Sequence, residues 1–158
     1  MIVRECVRAI LLTPRNEILL MRIHEPGNNE RFWWITPGGG KEDGENIHEA
    51  LRRELHEELG LRSFVTGPLV WKRQHTFNWN GKRICQKEQY FIVAADSFEP
   101  VMGDEAEMTS LDTFRWWPVA ELRDSTERLT PLSLADIVTG YLENGAPSEC
   151  PDIEILED

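Results

Sequence analysis

The sequence predicts an α/β domain built on a mixed β-sheet, and three observations carry that expectation. Two pairs of Val-, Ile- and Leu-rich segments are joined by turn residues, as β-hairpins are. A central stretch free of Gly and Pro reads as a helix. A second helical stretch follows far along the chain, after further strands, so helices can cover a sheet in layers. With 158 residues, 41% of them hydrophobic, the chain suits one compact domain with a real core.

The elements follow in order. Val3 to Leu12 and Glu17 to Ile23 read as strands, with Pro14, Arg15 and Asn16 turning between them. Glu25 to Arg31 reads as a polar loop. Phe32 to Thr36 is a short aromatic strand halted by Pro37 and the three glycines Gly38, Gly39 and Gly40. Asn46 to Leu59, rich in Leu, Glu, Arg, His and Ala, is helical, with Gly60 as its C-terminal cap. Val65 to Trp79 and Lys82 to Ala95 form a hairpin around Asn80-Gly81. A loop from Asp96 to Leu111 leads to an aromatic strand, Thr113 to Val119, and a short helical piece, Ala120 to Leu122. Pro131 to Leu142 is the closing helix. Residues 1–145 are expected to form the domain, and 146–158 a loosely ordered acidic tail.

Charge and cysteines narrow the function. A net charge of -11 argues against binding nucleic-acid duplexes. It also suits a phosphate-handling enzyme only if divalent cations intervene. Cys6, Cys85 and Cys150 form no CxxC pair, so neither a zinc knuckle nor a disulfide framework is expected. Arg4, Glu5 and Arg8 interrupt the apolar N-terminus, unlike a signal peptide, and no segment has the length of a membrane span. A cytoplasmic protein, monomer or homodimer, is the expectation.

The chemistry concentrates in Gly39 to Leu61. Glu54, Glu57 and Glu58 stand at i, i+3 and i+4, so on a helix they share an arc of roughly 100°. Like charges so placed repel unless something neutralises them. An oxygen-only cluster is what Mg²⁺ or Mn²⁺ selects. Ile47, Leu51, Leu55 and Leu59 form the apolar stripe, and the Glu54 and Glu58 directions fall on its edge rather than opposite it. Arg53 can pair with a carboxylate in a planar fork. The glycines before the helix allow close backbone approach to a ligand, a glycine carbonyl there can ligate a metal, and the helix N-terminus favours phosphate.

This stretch resembles the Nudix box, Gly-x5-Glu-x7-Arg-Glu-U-x-Glu-Glu-x-Gly-U with U a bulky aliphatic. Gly39, Glu45, Arg53, Glu54, Leu55, Glu57, Glu58, Gly60 and Leu61 meet every fixed position. The resemblance implies an α/β/α sandwich around a mixed sheet, and hydrolysis of nucleoside diphosphates linked to another group. It implies that Glu57 and Glu58 are the main metal ligands, with the Gly39 carbonyl beside them. Glu54 would be a further ligand or the general base, and Arg53 would hold it, so that Arg53, Glu54 and Glu57 form the catalytic set. Mg²⁺, or alternatively Mn²⁺, would be the cofactor. Family members often add a carboxylate from a late loop, for which Glu105 and Glu107 are the candidates, with Asp104 behind them; Glu88 is another if it faces the cleft.

The substrate is less legible. Thr76 and Phe77 stand where ADP-ribose-specific members carry proline, and Pro37-Gly38-Gly39 stands where dinucleoside-polyphosphate members show Pro-Lys-Gly. Cys6 and Cys85 lie in no motif like that of the isopentenyl-diphosphate isomerases. A MutT-like enzyme acting on a small nucleotide remains. The alternatives are a non-catalytic nucleotide-binding sensor, which a degenerate box would mark, and an acidic structural domain without metal. Of Trp33 and Trp34, and of Trp116 and Trp117, one each should face the core, and one of the four is a candidate for stacking on a base. Arg73, Gln74 and His75 are candidates to line the cleft, whereas His24, His48 and His56 read as surface residues.

Overall fold

The structure is a computed structural model and describes residues 1–101 and 110–158. Its strands are β1 (Ile2–Leu12), β2 (Glu17–Glu25), β3 (Asn28–Ile35), β4 (Gly38–Gly40), β5 (Val65–Trp79), β6 (Lys82–Ala94), β7 (Leu111–Pro118) and β8 (Ile153–Glu157). Helices α1 (Ile47–Leu59) and α2 (Leu134–Asn144) and a 3-10 turn at Val119–Glu121 are the other elements among the described residues.

One mixed sheet runs β3-β2-β1-β6-β5-β8, with β4 added beside β1 and β7 beside β2. The β1·β6 and β5·β8 pairs are parallel and the others antiparallel. Alternation along each strand feeds two cores. Val7, Ala9 and Leu11 of β1 meet Ala50, Leu51, Leu55 and Leu59 of α1. Ile10 and Leu12 join Tyr90, Ile92, Leu134 and Val138 on the other face, under α2. The expected α/β/α sandwich is therefore the observed one. Each fully buried leucine of α1 contributes roughly 1.5–3 kcal/mol, so this face alone anchors the helix to the sheet.

Local chemistry sets the ends of α1. Asn46 accepts a hydrogen bond from the Glu49 N–H, and Glu49 accepts one from the Asn46 N–H, a reciprocal cap. Gly60 ends the helix at φ 70°, in the left-handed region. At the tip of the β5–β6 hairpin, Asn80 and Gly81 have φ of 52° and 78°, the turn expected of Asn-Gly.

Three segments differ from expectation. Pro26-Gly27 makes a tight turn, so β3 begins at Asn28 inside the expected polar loop. The three glycines form β4, paired from Cys6↔Gly40 to Arg8↔Gly38. The expected loose tail instead carries β8, which pairs with β5 from Lys72↔Ile153 to Thr76↔Glu157. Its backbone groups are satisfied by the open edge of β5, which outweighs the acidic composition.

Strands β1 and β2 share only the Leu12↔Ile18 register near their turn. Beyond it they splay, β2 keeping β3 and β7, β1 keeping β4 and β6. That split opens a cleft and brings the glycine strand to its edge.

Candidate active site

Helix α1 presents its carboxylates to the glycine strand. The Gly38 N–H donates to Glu58 Oε1 at 2.9 Å. Gly39 lies so close to Glu54 that a Cβ there would stand 2.6 Å from the carboxylate carbon. A Cβ at Gly38, where φ is 143°, would stand 2.1 Å from the Val7 carbonyl oxygen. Only glycine lets this strand pass between β1 and the helix.

Arg53 organises the cluster. It donates to Glu45 from Nε at 2.7 Å and from Nη2 at 3.0 Å, a bidentate fork. Its Nη1 reaches Glu54 Oε1 and Glu57 Oε2, each at 3.1 Å, and Nη2 also donates to the Gly40 carbonyl at 2.8 Å. Those hydrogen bonds hold the Glu45 carboxyl down at about 2, so it is always ionised near neutrality. One guanidinium thus ties the loop, the glycine strand and two of the three helix carboxylates together.

Glu54 and Glu58 are shifted the other way. Burial pushes Glu54 up, offset in part by Arg53. Burial pushes Glu58 up to about 8, against the Gly38 hydrogen bond and the Arg8 charge, with Glu54 and Glu57 adding repulsion. Among the described residues no three acidic, histidine or cysteine side chains converge to enclose a cation. Glu57 is turned to Arg53 and Glu58 to Gly38 instead. The donor set still fits a hard cation: it is all oxygen, half-buried in part and mutually repelling.

A pH dependence follows. The folded state keeps the Glu58 proton from the ordinary carboxylate value, 4.5, up to about 8, whereas the unfolded chain has lost it. Stability contributed by Glu58 therefore falls as pH rises through that window. A cation needs the ionised form, so its binding displaces the proton. The melting temperature of chelator-treated protein should fall across this range. Mg²⁺ affinity, read by thermal shift, should rise by up to about tenfold per pH unit and level off above the upper end. A flat affinity would remove Glu58 from the candidate ligands of a cation.

The cleft occupies about 320 Å³ on the α2 side of the sheet. Arg4, Arg8, Arg31, Arg73 and Arg128 line it, against Glu25, Glu88 and Asp158. A chain of net charge -11 thus has a locally basic cavity. Trp33, Phe77 and Trp79 give it aromatic walls, and Trp33 and Trp79 meet edge to face at 6.3 Å. At its floor Glu88, 5% exposed, accepts from Arg8 Nε at 3.0 Å and Arg73 Nη1 at 2.7 Å. Burial raises the Glu88 carboxyl, but the two guanidiniums outweigh it and bring it below the usual range. Gly38 joins cleft and helix: its carbonyl accepts from Arg8 Nη1 at 3.3 Å while its N–H donates to Glu58.

The structure brings Arg53, Glu54, Glu57, Glu58 and Gly39 together. It places Glu88 in the cleft, with both oxygens engaged by arginines rather than turned to the helix carboxylates. Glu105 and Glu107, with Asp104, lie outside the described residues. Arg73 and His75 line the cleft and Gln74 does not. Trp34 and Trp117 are core residues, Trp116 packs against the α1 side, and Trp33 is the one at the cleft. His48 and His56 are exposed, and His24 pairs with Asp112 at 2.7 Å. Arg4, Arg8, Arg31 and Arg128 carried no sequence signal, being scattered single arginines.

Comparison with known proteins agrees with this architecture. An RNA pyrophosphohydrolase of Shewanella pealeana is 32% identical over 94 residues, 52% of this chain and 54% of that protein. The chain thus spans about half the length of the curated relatives it matches. A NUDIX hydrolase from Nitrosomonas europaea superposes with a TM-score of 0.61 at 25% identity, covering 92% of this chain and 93% of that one. The MutT protein from Methanosarcina mazei Go1 superposes at 0.60 with 20% identity, covering 92% and 97%, and shares the fold. No helix among the described residues is long and apolar enough to cross a membrane. Residues 3–135 match the NUDIX domain, and the chain belongs to that family.

Proposed function

We propose that this chain is a metal-dependent pyrophosphohydrolase that cleaves the phosphoric anhydride of a small nucleoside diphosphate derivative. The observation that carries the reading is Gly38. Through one residue it couples a cluster of repelling carboxylates to an arginine-lined cleft large enough for a nucleotide.

Each part has a task. Glu57, Glu58 and the Gly39 carbonyl hold the cation, with Glu54 as a further ligand or as the base. A bound Mg²⁺ or Mn²⁺ screens the diphosphate charge and stabilises the leaving oxygen. Arg53 fixes Glu54 through Oε1, leaving Oε2 to orient water and take its proton. The raised Glu54 carboxyl is a correspondingly stronger base. The cleft arginines other than Arg73 bind phosphate oxygens, and Trp33 or Trp79 offers a face to a base. An intact box favours catalysis over the sensor reading.

The test is a phosphate-release screen of nucleoside triphosphates, oxidised nucleotides, nucleotide sugars and dinucleotides, with Mg²⁺, with Mn²⁺ and with chelator. Cleavage abolished by chelator is the expected result. Cation binding without cleavage of any member would favour the sensor reading.

A further inference from the structure

Strand β8 lies beyond the matched NUDIX segment, which ends at residue 135, and it delivers the residue that follows it, Asp158, to the lining of the cleft. Alternation along β8 turns Glu154 toward Arg73, whose Nε lies 3.5 Å from Glu154 Oε1. Asp158 follows: its N–H donates to the Thr76 carbonyl at 2.9 Å, and its Oδ2 lies 2.7 Å from His75 Nε2. Arg83 braces the same segment, donating to Asp158 O at 2.8 Å and to Glu157 Oε1 at 2.9 Å. Asp158 is therefore held in place at the cleft.

The contacts continue inward. Arg73 Nη2 lies 3.2 Å from His75 Nδ1. An arginine only donates, so Nδ1 accepts and Nε2 carries the proton given to Asp158. The His75 hydrogen bond holds the Asp158 carboxyl below the usual range, so it is ionised at neutral pH. Arg73 is already matched by Glu88 and Glu154, at 2.7 and 3.5 Å. It has no unbalanced charge to offer a further phosphate on this wall.

Distance places the wall relative to the chemistry. The sheet order β1-β6-β5-β8 sets Arg8 of β1 three strands from β8, on the order of 14 Å at the usual strand spacing. With the scissile diphosphate at Arg8 and the helix glutamates, a nucleoside fills the space between. The next phosphate of a longer nucleotide chain would then meet Asp158, beside an Arg73 whose charge Glu154 already balances.

We propose that Asp158, anchored by β8, is a charge filter: it restricts the cleft to substrates with a single nucleoside and disfavours polyphosphorylated oligonucleotides. The orientation rests on the hydrolase reading above, with the diphosphate at the glutamates, but the filter itself is a property of binding.

Binding is therefore measured without turnover, in chelator, through the fluorescence of the cleft tryptophans. The ligands are adenosine triphosphate and the same triphosphate extended by one nucleotide. Wild type should prefer the mononucleotide, on the order of tenfold at low ionic strength and less as salt rises. In Glu154→Gln/Asp158→Asn the preference should collapse toward equality. Asp158→Asn alone, which leaves the Glu154 ion pair intact, should remove part of it. Glu149→Gln, an exposed charge outside the cleft, should leave it unchanged. Thermal melts establish that each variant is folded. A preference that survives in the folded double variant, or wild type favouring the longer ligand, overturns the filter. Failure of both ligands to bind wild type overturns filter and nucleotide cleft together. Binding with the expected preference but no cleavage when metal is supplied supports the filter and overturns only the hydrolase reading.

Discussion

Glu57→Gln and Glu58→Gln should each cut turnover on the order of 10²–10³-fold while the protein stays folded. Both substitutions keep shape and an amide oxygen. The Gly38 N–H that Glu58 accepts, and the Arg53 N–H that Glu57 accepts, therefore keep partners. What is lost is a carboxylate where the proposed cation would be held. The metal-free melting temperature should stay equal or rise slightly, because Glu57→Gln removes one charge from a repelling cluster and Glu58 already holds its proton near neutrality. Mg²⁺-induced stabilisation should shrink in parallel with activity. Glu49→Gln is the control on the same helix. Glu49 serves the N-terminal cap, a task glutamine performs as well, so its variant should be nearly silent. Equal losses at all three positions would sink the helix-face argument. Loss accompanied by unfolding would leave Glu57 and Glu58 without a demonstrated catalytic role.

That contrast among three glutamates of one helix was legible in the sequence because the signal is local. The spacing of Glu54, Glu57 and Glu58, the stripe of Leu51, Leu55 and Leu59, and the caps Asn46 and Gly60 all lie within one helix and its flanks. The alternating strands and the Asn80-Gly81 turn were legible for the same reason. Strand β4 was not, because three glycines have no strand propensity. They become a strand only through a steric demand, the Val7 carbonyl and the Glu54 carboxylate leaving no room for a Cβ. Strand β8 was hidden by its acidic, Pro-flanked composition, and only the free edge of β5 reveals what it pairs with. The cleft was least legible. Its arginines sit on β1, β3, β5 and a late loop, and only the parallel β1·β6 pairing and the splay of β1 from β2 bring them together.

Glu88→Gln should be the most destabilising single substitution in the cleft, costing about 3–5 kcal/mol. For a domain of this size that lowers the melting temperature by about 10 °C. Glu88 is the shared counter-ion of Arg8 and Arg73, and it also accepts from the Tyr90 hydroxyl at 3.3 Å. Glutamine keeps the size but leaves two guanidiniums beside a neutral group, one of them 5% exposed. Glu154 still balances Arg73 at 3.5 Å, and the Thr36 and Gly38 carbonyls still receive Arg8, each at 3.3 Å, so the cleft should distort rather than collapse. A shift of Arg8 reaches Gly38 and through it Glu58, so activity should fall although Glu88 touches no helix carboxylate. The pH dependence separates this from ordinary loss of a buried group. A carboxyl held below its usual value adds stability above that value and loses it as pH falls. Wild type should therefore lose stability on acidification through the carboxylate range, and Glu88→Gln should lose less. Parallel acid profiles for the two proteins would mean that the arginines gain nothing from the charge of Glu88, and that packing alone holds the cleft floor.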